Sequence, residues 1–320
     1  MAEIVLGLAM SHSPQVSQDP KWWAEQAQID RRRTPYDELL ARKPAWIDAQ
    51  LDPQVWATKH HAAQAAISHL AQCLEKVSPD LVVLIGDDQE ELFLDDCTPM
   101  FSVFWGDASW DRPEFIHGDM SVPSRAAVKW AFHGDEPEAY PGYPPFGRHV
   151  IEQLVEQNFD VAQFTRQHES RSLGHAFTFV RRRIMSKQRI IPTIPVLINT
   201  YFPPNQPSAA RCFALGQALR KAIESWPGQE RIAVIASGGL SHFVIDTELD
   251  ERVLKGLANC DRESLLSLPR SKLQAGSSEI LNWIAAGGAL EGLRMELIDY
   301  IPGYRSEGGT GVGMAFAKWL

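Results

Sequence analysis

The sequence predicts an α/β protein: a single domain with a central, largely parallel or mixed sheet, flanked by helices and carrying long insertions at its rim. Three observations predict it. Four segments share one pattern, a short β-rich apolar run that stops at a polar or glycine-rich terminus: EIVLGLAMSHSP (3–14), LVVLIGDD (81–88), IPVLINTYFPP (194–204) and IAVIASGGLSHF (232–243). The runs are apolar without alternation, as in strands covered on both faces. Helical patterns lie between them, and strands that alternate with helices build open α/β sheets.

Taken in order, the first run ends at Ser11-His12-Ser13-Pro14, where Pro14 turns the chain out of the sheet. Residues 15–56 are rich in Trp, Pro and Asp with little periodicity, yet too apolar for disorder, so they read as a first insertion over the rim. Residues 57–77 place Ala63, Ile67, Leu70, Leu74 and Val77 on one helical stripe. The second run passes straight into Gly86, Asp87, Asp88, Gln89 and Glu90, an acidic cluster at the end of a core strand. Residues 94–148 repeat the character of the first insertion. A helix over 208–225 opens at Ser208, a suitable N-cap. In the fourth run, Gly238 and Gly239 permit a sharp turn before His242, and 278–286 reads as another short helix. Open sheets hold ligands at the carboxyl ends of their strands. His12, Asp87–Glu90, Asn199–Pro204 and Ser237–His242 are therefore expected around one pocket.

Composition narrows the function. The 320 residues suit one large domain, and 44% hydrophobic with 22% charged residues is an ordinary globular balance. A net charge of −9 argues against a nucleic-acid partner; the basic runs Arg31–Arg33 and Arg181–Arg183 read as solvated surface. No apolar run reaches membrane-spanning length, and MAEIVLGLAMSHSP lacks the basic head and cleavage site of a signal peptide. Cys73, Cys97, Cys212 and Cys260 are scattered without a CxxC pair, which fits reduced thiols in a cytoplasmic protein. The GGTGVG run near the C-terminus opens no βαβ unit, so it is not a dinucleotide fingerprint. A GxxxxGK[ST] loop and a GxSxG elbow are both absent.

Four residues stand out as carriers of chemistry. His12 and His242 each close a Ser-His step at a strand end, His175 follows Gly174 in SLGHAFTF, and Glu248 lies six residues beyond His242. Each has an ordinary role to weigh: a strand-end histidine bonded to a carbonyl, a loop histidine, a first-turn helix acid. Two histidines and a carboxylate from separate segments also make the usual non-haem iron(II) site that activates dioxygen.

The segments SHSP, PVLINTYFPPNQPSAARCFALGQALRKAIESWP, ASGGLSHF, IDTELDE and SSEILNWIAAGGAL, in this order, resemble the class III extradiol ring-cleaving dioxygenases, in particular the catalytic (beta) subunits of protocatechuate 4,5-dioxygenases. The resemblance implies an α/β fold, Fe(II) held by two histidines and a glutamate, O2 as co-substrate and cleavage of a catechol beside its hydroxyl pair. On this chain it implies His12 and Glu248 as metal ligands, His242 as the acid–base histidine and His175 as a pocket histidine. It places Ser277 and Ser278 near a substrate carboxylate. Tyr304 and Arg305 are further candidates, since an arginine can grip an acidic ring substituent in a bidentate fashion. Relatives form dimers or larger assemblies, and some need a small accessory subunit. Trp22, Trp23, Trp105 and Trp110 in the insertions are candidates for a lid in one chain.

The departure is Gln89, which stands where the family has its second histidine ligand. Three resolutions follow. Gln89 or Asp88 binds the metal, giving an oxygen-rich sphere that shifts preference toward Mn(II) or another hard divalent ion. Alternatively, His60 or His61, near the start of helix 57–77, fills the gap. In the third case iron chemistry is lost, leaving a non-oxidative metal-dependent hydrolase or lyase, or a non-catalytic binding subunit. The leading expectation is a ring-opening dioxygenase acting on a small catechol-like compound with a changed ligand set.

Overall fold

Eleven strands form among the described residues: β1 (Glu3–Met10), β2 (Leu81–Asp87), β3 (Phe101–Phe104), β4 (Ala108–Asp111), β5 (Glu138–Pro141), β6 (Ala162–Phe164), β7 (Thr193–Ile198), β8 (Arg231–Ser237), β9 (His242–Val244), β10 (Met295–Tyr304) and β11 (Thr310–Trp319). They come from a computed structural model that describes residues 1–33, 35–115, 121–186 and 188–320. The portions of the two insertions at 34 and 116–120 therefore lie outside the described residues. Nine strands make one mixed sheet, ordered β10-β11-β1-β8-β2-β7-β3-β6, with β9 paired to β11; β4 and β5 form a separate antiparallel pair.

The four apolar runs become the parallel block β1-β8-β2-β7. Their lack of alternation has a direct cause. Leu81, Val83 and Ile85 of β2 enter one core, whereas Val82 and Leu84 enter the other. Ile232, Val234 and Ala236 of β8 likewise face away from Ala233 and Ile235. Burying both faces removes the polar side that alternation would need. Helices Pro53–Val77 and His175–Ile184 cover one face; Pro144–Glu156, Ala209–Ser225 and Ile280–Ala289 cover the other. No helix among the described residues is long and apolar enough to cross a membrane.

One expectation is corrected. The segment 94–148 is not only a rim insertion, because Phe101–Phe104 joins the main sheet antiparallel to β7. The glycine-rich run near the C-terminus enters the sheet: Gly311 and Gly313 lie inside β11, between β10 and β1. A Cβ on Gly313 would stand 2.2 Å from Asp250 Oδ2, so glycine is required for that carboxylate to reach the sheet. Asp250, in helix Thr247–Ala258, is fully buried. It accepts from Ser241 N–H (2.8 Å), Ser241 Oγ (2.7 Å) and Tyr300 Oη (2.7 Å). Burial pushes its carboxyl up to about 6 against those donors. This network anchors the turn that carries His242.

One close contact sets the precision of the frame. Helices Ala209–Ser225 and Ile280–Ala289 cross with their backbones nearly touching: a Cβ on Gly216 would stand 1.9 Å from the carbonyl oxygen of Ala285. The second helix carries the acid that completes the site. Gly216→Ala is expected to destabilise the fold by at least about 2 kcal/mol, since the obstacle is backbone. Asp250→Ala, which strands the Ser241 and Tyr300 donors, should cost about 3 kcal/mol. Urea unfolding midpoints check both, and unchanged midpoints would contradict them.

Candidate active site

The carboxyl ends of β1, β8 and β2 meet the start of helix Ile280–Ala289, and three side chains converge there. His12 is fully buried; its Nδ1 lies 2.9 Å from Ser237 Oγ and its Nε2 3.4 Å from Glu279 Oε2. Nε2 has no hydrogen-bond partner among the described residues. Asp87, the last residue of β2, is also fully buried and accepts from Asn282 Nδ2 at 3.0 Å. Glu279 accepts from the Gly239 N–H at 2.5 Å. One donor atom each from His12, Asp87 and Glu279 lie within 4.8 Å of one another, a group able to hold a metal ion.

The charges in this cluster oppose each other. Burial raises the Asp87 carboxyl, and the neighbouring Glu279 raises it further. Burial also works against Glu279, but His242, His12 and the Gly239 N–H outweigh it and hold that carboxyl well below its usual range. Gln89 donates Nε2 to both acids, at 3.1 Å to Asp87 Oδ2 and 3.2 Å to Glu279 Oε1. Its amide nitrogen thus bridges the carboxylates, and its oxygen turns elsewhere.

His242 lies beside this cluster, with Nε2 3.8 Å from Glu279 Oε2. Its Nδ1 is 2.8 Å from the Leu240 carbonyl. A carbonyl only accepts, so Nδ1 carries the hydrogen and the neutral ring keeps its lone pair on Nε2. The backbone packs tightly around this ring: a Cβ on Gly239 would stand 2.0 Å from His242 Cε1, and one on Gly276 2.4 Å from its Cβ. Phe243, next in sequence, is held at φ +63, a conformation rare for an aromatic residue. His175 approaches from the other side, its ring 4.7 Å from that of His12. Glu91 grips it twice, at Nδ1 (2.8 Å) and at the backbone N–H (2.9 Å). Burial lowers this imidazole, but Glu91 prevails and lifts it to about 9.

His12, Gln89, His175, His242 and Glu279 line one side of a cavity of about 410 Å³. Helix Trp23–Arg33 closes the other side with Gln26, Ile29 and Asp30, joined by Arg125, and Tyr201, Phe243 and Val312 supply apolar surface.

Several expected site residues sit elsewhere. Glu248 does not reach His12: helix Thr247–Ala258 turns Leu249, Asp250 and Val253 inward, leaving Glu248 exposed on its first turn. The acid beside His12 is Glu279. Asp88 folds back to accept from the Leu92 and Phe93 N–H groups, both at 2.9 Å, and so caps its own turn. His60 lies near the charges of Asp19 and Arg183, and His61 is exposed; neither lines the cavity. Ser277 Oγ accepts from the His242 N–H at 2.9 Å and Ser278 Oγ donates to Ala275, so both hold the turn rather than face the cavity. Tyr304 packs against Trp46 away from it. Arg305 does line it, forked onto Asp30. Trp22, Trp23, Trp105 and Trp110 do not. The four cysteines are free.

Glu279 was legible in principle. It stands directly before ILNWIAAGGA, a helix buried on nearly every side, and an acid at the start of a buried helix needs a partner. Asp87 and Arg125 carried no signal beyond their segments.

Comparison with known proteins gives a consistent picture. The family model described as catalytic LigB subunit of aromatic ring-opening dioxygenase matches residues 52–316. The chain is 29% identical over 175 residues to a gallate dioxygenase of Pseudomonas putida, covering 50% of each protein. It is 25% identical over 209 residues to a 2,3-dihydroxyphenylpropionate/2,3-dihydroxicinnamic acid 1,2-dioxygenase of Comamonas testosteroni, covering 65% of this chain and 54% of that one. A protein of the same name from Rhodococcus jostii is 24% identical over 199 residues, 60% of this chain and 55% of the relative. The matched stretch thus spans about half the length of these relatives. With the family model covering most of the chain, and a buried cluster of one histidine and two acids at the mouth of its parallel strands, the protein belongs to the LigB family of aromatic ring-opening dioxygenase catalytic subunits.

Proposed function

We propose that this chain is a metal-dependent ring-opening dioxygenase acting on a small aromatic compound with two adjacent oxygen substituents. One observation carries the reading: His12 Nε2 is buried without a hydrogen-bond partner and faces two buried carboxylates at the deep end of the cavity. An imidazole lone pair and two acids form a donor set that suits a divalent transition metal. His12, Asp87 and Glu279 would hold it. When bound there, the cation supplies Lewis acidity and, as Fe(II), the redox chemistry that dioxygen requires.

The remaining work belongs to the protein. His242 Nε2, fixed as the basic nitrogen by the Leu240 carbonyl, accepts a hydroxyl proton from the diphenol and returns it to the opened product. His175, held by Glu91, presents a fixed positive edge beside His12. Tyr201, Phe243 and Val312 take the ring faces and exclude water. Gln89 ties Asp87 to Glu279 and spaces the two acids. Two carboxylates balance the charge of a divalent ion, where the two-histidine, one-carboxylate set leaves it positive. That oxygen-rich set favours Mn(II) beside Fe(II). It also favours a second reading, a Lewis-acid hydrolysis or lyase step on the same scaffold.

Oxygen consumption separates the two. Protein loaded with Fe(II) or Mn(II) and given a catechol is expected to take up one O2 per ring opened. Substrate loss without oxygen uptake would support the second reading, and failure to bind any divalent ion would overturn both. His12→Ala and Glu279→Gln should each lower kcat/KM more than about 100-fold. Because the Asp87 carboxyl is raised, its proton competes with the cation at low pH. Mn(II) affinity, followed by electron paramagnetic resonance, should rise from pH 6 to pH 8, and Asp87→Asn should flatten that rise.

A further inference from the structure

Among the described residues, the outer part of the cavity holds one positive charge that neither the cluster nor the fold uses. Arg125 and Arg305 both line the cavity. Arg305 is buried and its charge is matched: Nε and Nη2 donate to Asp30 at 2.7 and 2.9 Å, and Nη1 donates to Gln15 Oε1 at 2.9 Å. It therefore has little left for a ligand. Arg125 is half-buried, and among the described residues no hydrogen bond, acid or aromatic ring engages its guanidinium. Glu25 lies close by, yet its Oε1 faces the Ser124 N–H at 3.5 Å instead.

The backbone that carries Arg125 is held in place. The Ser124 carbonyl accepts from Gln18 Nε2 at 2.6 Å, and Ser124 Oγ accepts from Gln26 Nε2 at 3.2 Å. A pinned backbone presents an unpaired guanidinium to a cavity whose other half-buried cation, His175, is already matched by Glu91. A guanidinium in that position is shaped for a carboxylate. Depth gives the direction: His12 and Glu279 are buried, and Arg125 is nearer solvent. A ligand whose two ring oxygens point inward would carry its acidic substituent outward.

We propose that Arg125 is a specificity-determining residue that receives the carboxylate substituent of an acidic aromatic substrate. The identity of the ring rests on the ring-opening reading; the role of Arg125 as the anion receptor does not.

Equilibrium binding tests it without turnover. Tryptophan fluorescence or calorimetry on the full chain, under anaerobic conditions, compares 3,4-dihydroxybenzoate with its uncharged isostere 3,4-dihydroxybenzamide. The wild type is expected to bind the acid at least about tenfold more tightly. Arg125→Gln should bring the ratio of the two dissociation constants close to one, and Arg125→Lys should keep part of the preference. The preference should shrink with added salt. An equal affinity in the wild type, or a ratio unchanged in Arg125→Gln with an unaltered circular dichroism spectrum, would overturn the proposal. A chain that keeps the Arg125-dependent preference yet consumes no oxygen would remove the ring-opening reading and leave this one standing.

Discussion

Two carboxylates and an imidazole, all buried and within a few ångströms of one another, are a costly arrangement unless a positive charge or a shared proton sits among them. The surroundings of His12, Asp87 and Glu279 follow from that constraint. The donors that reach the acids come from Gln89, Asn282 and the Gly239 N–H. Each leaves the inward-facing lone pairs open. His12 Nδ1 is engaged by Ser237, which directs Nε2 into the gap. The cluster thus offers the donor atoms that a cation would need. Every element that carries a member of it is a strand end or the start of a core helix, so the positions are fixed by packing that extends well beyond the site.

The family resemblance places an imidazole at residue 89, where this chain has a carboxamide. An imidazole there would offer a neutral nitrogen to the cation. The carboxamide instead donates to the two acids beside it. Asp87 then enters the cluster in a way that the strand end alone would not require. The sum is a site in which two buried carboxylates stand beside one histidine, bordered by the matched pair of His175 and Glu91.

Much of the scaffold could be read from the residues alone. The four unbroken apolar runs are the parallel block, and the helix over 208–225 begins at its Ser208 cap as the pattern required. His12, His175 and His242 do share one cavity. What escaped were features that depend on distant pairing. Glu248 and Glu279 are both acids near the start of a helix, and only the facing of each helix tells them apart. The long strands β10 and β11 were hidden because three glycines and a proline blur their periodicity, although those glycines admit Asp250 and other close neighbours. The cavity wall formed by helix Trp23–Arg33 carries no local signature at all.

The clasp between Asp30 and Arg305 joins residues 275 positions apart, and β11 slides between β10 and β1 only when residues 310–319 are available. Synthesis of the earlier strands therefore leaves an unclosed sheet edge along β1 and a binding chamber without its outer wall. Closure of the chamber therefore rests on contacts between residues far apart in the chain, the kind that loop-closure entropy makes slow to form.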